Sequence, residues 1–298
     1  MVSGHCPNIK ERKLMMAIFT NQATLTYNGN SVNSNIVTGN IVEVLAVTKT
    51  ALNNSYSADD NVTYIVSITN SGAIPYNGII VTDDLGEYPF GTGTLTPLDY
   101  VDDSVAYYQN GVLQADPVVS DTNPLTFTGI TVPAGGNVIL VYEARTNGFA
   151  PFAPASEIVN TVTVTGAGLS TPIEAEETIT VTDEPVLSIT KGLSPTDVIE
   201  NGQLTYTFTI QNTGNTEAVA TDNVVITDVF DPILTDITVT VNGVTIPETA
   251  YSYDETTGVF TTDIGTITVP AATYTQDPVT GTIIVTPGVT VVTVTGTV

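Results

Sequence analysis

The chain has 298 residues, room for two ordinary domains, and a formal charge of −25 from 31 acidic against six basic residues. That balance excludes nucleic acid as a partner and argues against membrane insertion or an anionic membrane surface, because nothing on the chain would neutralise phosphates. An abundance of Thr, Val, Asn, Gly and Pro, no Trp and no long apolar pattern at helical spacing define an all-β chain, and the single Cys6 excludes an internal disulfide.

Residues 1–15 are set apart as a leader or disordered tail, holding Cys6, the only histidine (His5) and the basic residues Lys10, Arg12 and Lys13. Translation is expected to start at Met15 or Met16. No apolar stretch reaches the roughly 18 residues of a membrane-spanning helix, and the run from Leu14 to Phe19 is too short for a secretory core. No signal peptide and no carboxy-terminal sorting signal are visible.

Residues 16–45 read as a donor strand and connector, with the strand over 19–27 placing Phe19, Asn21, Ala23 and Leu25 on one face. A first repeat follows over 46–168, an acidic connector over 169–186, and a second repeat over 187–298. In Leu45-Ala46-Val47-Thr48-Lys49 the strand period of two puts Leu45, Val47 and Lys49 on one side, and Leu187, Ile189 and Lys191 repeat the pattern. Lys is almost never buried without a partner, since burial either costs several kcal/mol or drives the amine neutral. A neutral buried amine is a nucleophile.

The repeats share one order of motifs. Val62-Thr63-Tyr64 matches Leu204-Thr205-Tyr206, Asn70-Ser71-Gly72 matches Asn212-Thr213-Gly214, and Val81-Thr82-Asp83 matches Ile226-Thr227-Asp228. Asn110-Gly111 and Asn242-Gly243 are matching hairpin turns, and Ile130 to Ala134 matches Ile267 to Ala271. The first repeat continues into a closing strand over 158–166 that places Ile158, Asn160, Val162 and Val164 on one face, whereas the second stops at Val298 before that strand. The missing piece lies at the other end of the chain, where 19–27 aligns Asn21 with Asn160. An unclosed sheet invites strand addition from another chain, and head-to-tail contacts of that kind build filaments.

Each repeat therefore offers a lysine, an aspartate and an asparagine to one interior. A neutral amine beside a carboxamide polarised by a carboxylic acid can form an isopeptide with loss of ammonia. Lys49 is then the nucleophile, Asn160 the acceptor and Asp83 the acid; Lys191, Asp228 and Asn21 of a neighbouring chain make the second set. This is maturation, not turnover, so the chain is not read as an enzyme. Other readings compete. Each lysine could simply form a buried salt bridge with its aspartate; Glu143 rivals Asp83 as the acid; and Asn21 could serve Lys49 with Asn160 serving Lys191, completing both repeats within one chain.

Acidic pairs at Asp59-Asp60, Asp102-Asp103 and Glu176-Glu177 are read as solvated loop charge rather than calcium ligands. With one Cys and one His, both in the leader, no zinc site or Ser/His/Asp triad can be assembled in the body, and no cofactor or metal is expected.

The Lys-bearing first strand, the Thr-Tyr segments ending at Asn70-Ser71-Gly72 and Asn212-Thr213-Gly214, the Thr-Asp strand ends and the closing Asn-bearing strand together resemble the bacterial surface conserved-repeat family known as domain of unknown function eleven. That resemblance covers nearly all of 19–298. It implies immunoglobulin-like sandwiches in surface fibres, of the kind that carry Lys-Asn isopeptides. The expected fold is two tandem immunoglobulin-like β-sandwiches with an amino-terminal donor strand. The expected role is a homopolymeric, head-to-tail subunit of an extracellular filament on a cell or spore surface. The alternative is a monomeric adhesin or carbohydrate-binding module, with Tyr107-Tyr108 as its aromatic candidates.

Overall fold

The computed structural model describes residues 16–120 and 123–298; the tail over 1–15, with the expected start at Met15, lies outside the described residues. The amino-terminal stretch contains β1 (Met16–Asn21), β2 (Thr24–Tyr27), β3 (Asn30–Asn33) and β4 (Val37–Val42). The first repeat comprises β5 (Leu45–Ala51), β6 (Ser55–Tyr56), β7 (Asn61–Asn70), β8 (Tyr76–Asp83), β9 (Tyr88–Phe90), β10 (Gly93–Leu95), β11 (Leu98–Tyr100), β12 (Ala106–Gln109), β13 (Val112–Leu113), β14 (Val118–Ser120), β15 (Leu125–Val132), β16 (Asn137–Thr146), β17 (Glu157–Thr165) and β18 (Ile173–Val181). The second comprises β19 (Leu187–Ser194), β20 (Gln203–Asn212), β21 (Thr227–Val229), β22 (Thr235–Val241), β23 (Val244–Thr245), β24 (Tyr251–Tyr253), β25 (Val259–Thr262), β26 (Thr273–Gln276), β27 (Ile283–Thr286) and β28 (Gly288–Thr297). The chain is almost entirely β, arranged in open sheets.

Alternation builds the strands. In β7 the residues Val62, Tyr64, Val66, Ile68 and Asn70 point inward, and in β20 Leu204, Tyr206, Phe208, Ile210 and Asn212 do the same. One sheet of the first repeat runs β13-β12-β16-β7-β5, with β11 also on β16; the other runs β14-β15-β8-β17-β18-β6. A single apolar cluster draws on both, from Val47, Tyr64 and Leu140 to Val81, Phe127 and Val162. A separate cluster, including Tyr206, Phe208, Phe230, Phe260 and Val294, forms in the second repeat.

The turns repeat as closely as the strands. Asn110-Gly111 and Asn242-Gly243 both take left-handed backbone, with φ of 49° and 78° in the first and 50° and 79° in the second. Only small or side-chain-bonded residues adopt that conformation at little cost, and it matches the twist of a tight hairpin. Buried Asn70 and Asn212 are also structural. Asn70 donates to the carbonyls of Ile74 and Pro133 and accepts from Gly72 N–H. Asn212 donates to Thr216 and Pro270 and accepts from Gly214 and Val186.

Among the described residues the second repeat lacks the two strands that close the first. Its sheet β19-β20-β28-β22-β23 parallels β5-β7-β16-β12-β13, and β21-β25-β24 parallels β8-β15-β14, but nothing corresponds to β17 and β18 among the described residues. In the first repeat β8 pairs with β15 on one side and β17 on the other; β21 pairs with β25 alone. The consequence shows on β19. Leu45, Val47 and Lys49 of β5 are buried, whereas every residue of β19 is exposed, including Leu187, Ile189 and Leu193.

The amino-terminal segment lies outside both sheet systems. β1 pairs antiparallel with β4 and β2 with β3, and neither pair joins a sheet of either repeat. The single strand expected over 19–27 is split at Gln22-Ala23. There Ser34 captures the backbone, with Ser34 N–H donating to the Ala23 carbonyl, Ala23 N–H to Ser34 Oγ, and Gln22 Nε2 to the Ser34 carbonyl. Ile18, Phe19, Leu25, Ile36 and Val37 stay exposed, and each forgoes about 1.5–3 kcal/mol of burial.

One element is peculiar to the second repeat. The hairpin β26–β27 reaches back to the first, where Ile283 N–H donates to the Gly148 carbonyl at 2.8 Å, Gln276 Nε2 meets the Tyr88 hydroxyl at 3.0 Å, and the rings of Tyr274 and Phe152 lie 6.3 Å apart.

Candidate functional site

Lys49 projects from β5 into the first core. Its Nζ donates to Asp83 Oδ2 at 2.8 Å, and both side chains are 0% exposed. The ammonium also stands 4.7 Å from the centre of the Tyr64 ring, a cation-π contact. Asp83 closes β8, its Oδ1 accepting Leu85 N–H at 2.8 Å and its Oδ2 accepting the Tyr142 hydroxyl as well. Burial pushes the Lys49 ammonium below its ordinary pKa, and the opposing pull of Asp83 does not fully offset it. Burial raises the Tyr64 and Tyr142 phenols above theirs.

Asn160 completes this cluster from β17. It is fully buried on the same face as Ile158, Val162 and Val164, two residues from Val162, which pairs with Asp83 across the sheet. Its carboxamide faces the Tyr64 hydroxyl without reaching hydrogen-bond geometry, and neither its Nδ2 nor its Oδ1 has a partner. A buried carboxamide left unpaired costs about 1–3 kcal/mol, and Asn70 and Asn212 show that this fold can satisfy one fully. Asp84 fixes the strand beside it, its Oδ1 accepting Thr161 N–H and Gly86 N–H, each at 2.9 Å; burial raises the pKa of this carboxyl.

The second cluster has two of the three groups. Lys191 pairs with Asp228, and its Nζ sits 4.4 Å from the Tyr206 ring centre and 5.7 Å from those of Phe208 and Phe230. Both lysines were expected in apolar interiors. Lys191 departs from that expectation: its side chain is 41% exposed, and that of Asp228 is 19% exposed, because no strand among the described residues covers this face. Asn21 is not beside either lysine. It lies in β1 opposite Val37, and the pairing of Asn160 with Lys191 is likewise not what the fold brings together, since Asn160 belongs to the first core.

Glu143 loses its claim as the acid. Tyr142 and Ala144 point inward from β16, so Glu143 points outward, where it accepts from Asn61 Nδ2 at 3.0 Å. Tyr142 and Asp84 are the members that sequence reasoning missed. Of the adjacent Tyr107 and Tyr108, Tyr107 is the core member, buried at 7% exposure with its hydroxyl on the Thr131 carbonyl. Among the described residues no group of three or more His, Cys, Asp or Glu side chains is placed to hold a metal ion, and no helix is long and apolar enough to cross a membrane.

No family model matches the sequence, and no curated protein matches it. Solved structures are similar at a distance. The major pilin subunit BcpA of Bacillus cereus is 15% identical over 91% of this chain and 73% of its own, with a TM-score of 0.34. The 35 kDa C-terminal fragment of the Streptococcus agalactiae major pilin GBS80 is 12% identical over 83% of this chain and 91% of its own, at 0.34. The N-terminal domain of the Streptococcus gordonii adhesin Sgo0707 is 18% identical over 49% of this chain, which spans 35% of that structure, at 0.35. So distant a likeness decides neither family nor function.

Proposed function

We propose that this chain is a structural subunit of an extracellular filament or surface appendage, polymerised head to tail by donation of its amino-terminal segment and reinforced by autocatalytic Lys-Asn isopeptide bonds. Each repeat is read as an immunoglobulin-like sandwich, the first complete and the second lacking its closing edge. The observation that carries this reading is the contrast between the two clusters: the first encloses lysine, aspartate and an unpartnered asparagine, and the second holds lysine and aspartate beneath an open edge.

The chemistry follows from the contacts. Proton transfer along the 2.8 Å Lys49–Asp83 contact leaves a neutral amine and a neutral acid without any external proton. The amine nitrogen adds to Asn160 Cγ while Asp83 polarises the carboxamide oxygen; Asp83 then delivers its proton to the departing nitrogen and takes one from the attacking nitrogen, returning to carboxylate. The Nζ–Cγ bond forms, the Cγ–Nδ2 bond breaks, and ammonia leaves. Water is excluded by the surrounding core, and the reaction occurs once per site. For the second site the same sequence uses Lys191, Asp228 and a neighbour's Asn21.

Electron microscopy of the purified chain tests the assembly, combined with denaturing electrophoresis after boiling in detergent. Regular fibres that persist as covalent ladders are expected. Monodisperse monomers of full calculated mass would contradict the proposal.

A further inference from the structure

The first repeat shows what the second lacks, and it is more than one strand. β17 pairs with β8, but β18, hydrogen-bonded to β17, is the strand that runs against β5 and hides the face bearing Leu45, Val47 and Lys49. A lone strand added beside β21 would occupy the β17 position and leave β19 uncovered. Leu187, Ile189 and Lys191 would remain in water.

The amino-terminal segment already contains a matching pair. β1 and β4 run antiparallel with Asn21 opposite Val37, as β17 and β18 run antiparallel with Asn160 opposite Glu177. Phe19, on the Asn21 face, lies across Gly39 of β4, so closely that a Cβ on Gly39 would meet the ring. The pair is exposed and detached from its own sheets, and residues 14–42 contain no Asp, Glu, Lys or Arg. In a chain of net charge −25, that neutral, exposed stretch is a part that a second copy can approach without repulsion.

We infer that the occupant of the open edge is the folded-back amino-terminal segment of a second copy, with β1–β2 in the place of β17, so that Ala23 to Thr26 lie beside β21 as Val162 to Thr165 lie beside β8, and β3–β4 over β19 in the place of β18. This deepens the proposed assembly and rests on it. Docking delivers Asn21 to Lys191 and in the same step shields the Lys191–Asp228 pair from water. The second site is therefore gated by assembly: it stays an open ion pair in the free subunit and becomes an enclosed triad only when both strands are seated. The turn at Asn28-Gly29 then replaces the β17–β18 turn at the end of the docked pair.

Synthetic peptides test this on the full-length Asn21→Ala chain, whose own segment cannot weld and so leaves the second site exchangeable. Asn21 is in an exposed strand, so the substitution leaves both repeats intact. A peptide of residues 16–42 and a shorter one of residues 16–27 are each incubated with the chain, and covalent adducts are followed by intact mass. The expected result is an adduct with one ammonia lost, linked at Lys191, forming about tenfold or more faster with the longer peptide. Equal rates would overturn the hairpin inference while leaving single-strand donation standing. Absence of any adduct from either peptide would overturn both.

Discussion

Lys49 and Lys191 stand at the same point of the repeated strand, yet the side chain of the first is 0% exposed and that of the second 41% exposed. The strands beneath them, the aspartates beside them and the aromatic rings under them correspond. What differs is the cover: β17 and β18 close the first site, and among the described residues no strand of the same chain closes the second. One sequence thus holds a finished site and an unfinished one.

Asp83→Ala leaves the Lys49 ammonium buried without its counter-ion. Removing one partner of a buried pair costs about 3–5 kcal/mol, and the variant also lacks the acid of the proposed acyl transfer. Intact mass is expected to show no ammonia lost from the first repeat, and the melting transition to shift sharply downward. Full retention of the first-site linkage in this variant would remove Asp83 from the chemistry.

The buried asparagines separate structure from reaction. Asn212→Ala strips bonds from four backbone partners and is expected to destabilise the second repeat by about 1–3 kcal/mol or more, with the Lys49–Asn160 linkage intact. Asn160→Ala has no hydrogen bond to lose, so its direct cost is that of a small cavity; the proposed linkage, and the mass deficit it would leave, are expected to be absent. Peptide mapping of both variants checks the contrast.

Tyr142→Phe removes a hydroxyl that donates to the buried Asp83 carboxylate while keeping the ring. Hydrogen bonds to charged groups contribute about 1.5–3 kcal/mol, so chemical denaturation should report a loss in that range. A loss within experimental error would mean that the hydroxyl is not anchoring the cluster.

Alkaline pH should unfold the first repeat. Burial raises Tyr56, Tyr64 and Tyr142 above the ordinary phenol value of 10.0, so in the folded chain they remain neutral where the unfolded chain ionises. The unfolded state then binds fewer protons, and stability that is complete below pH 10.0 is lost above it at about 1.4 kcal/mol per pH unit for each such tyrosine. Tyrosinate absorbance followed together with circular dichroism should show these phenols ionising only as the fold is lost.

The inward lysine, the aspartate at the end of β8 and the asparagine on β17 were legible because a period of two fixes which face a residue takes, and the repeat supplied a second reading of each. The absence of a β17 counterpart was legible from the order of motifs; that of a β18 counterpart was not, because β18 lies in the stretch expected to be a connector. Tyr142 was not, since in an alternating strand an aromatic bound for the core and one with a hydroxyl on a carboxylate look alike. Exposure of Lys191 was not legible either: alternation assigns a face, but burial depends on whether another strand lies over it. The break at Gln22-Ala23 depends on Ser34, more than ten residues away, and no local propensity reports such a bond. The β26–β27 hairpin left a fainter signal in Asp277-Pro278-Val279-Thr280-Gly281, a turn-rich run between two alternating stretches, whose Asp277 carboxylate accepts Val279 and Thr280 N–H.

The most direct test mixes two disabled full-length chains. Lys191→Ala keeps the donating Asn21 but cannot accept, and Asn21→Ala keeps Lys191 but cannot donate. Each alone should run as a single chain after boiling in detergent, and the mixture should yield a covalent dimer joined from Asn21 of one chain to Lys191 of the other, with no longer product. A mixture that stays monomeric, or wild-type chains carrying the Asn21–Lys191 linkage within themselves, would contradict assembly by donation between subunits.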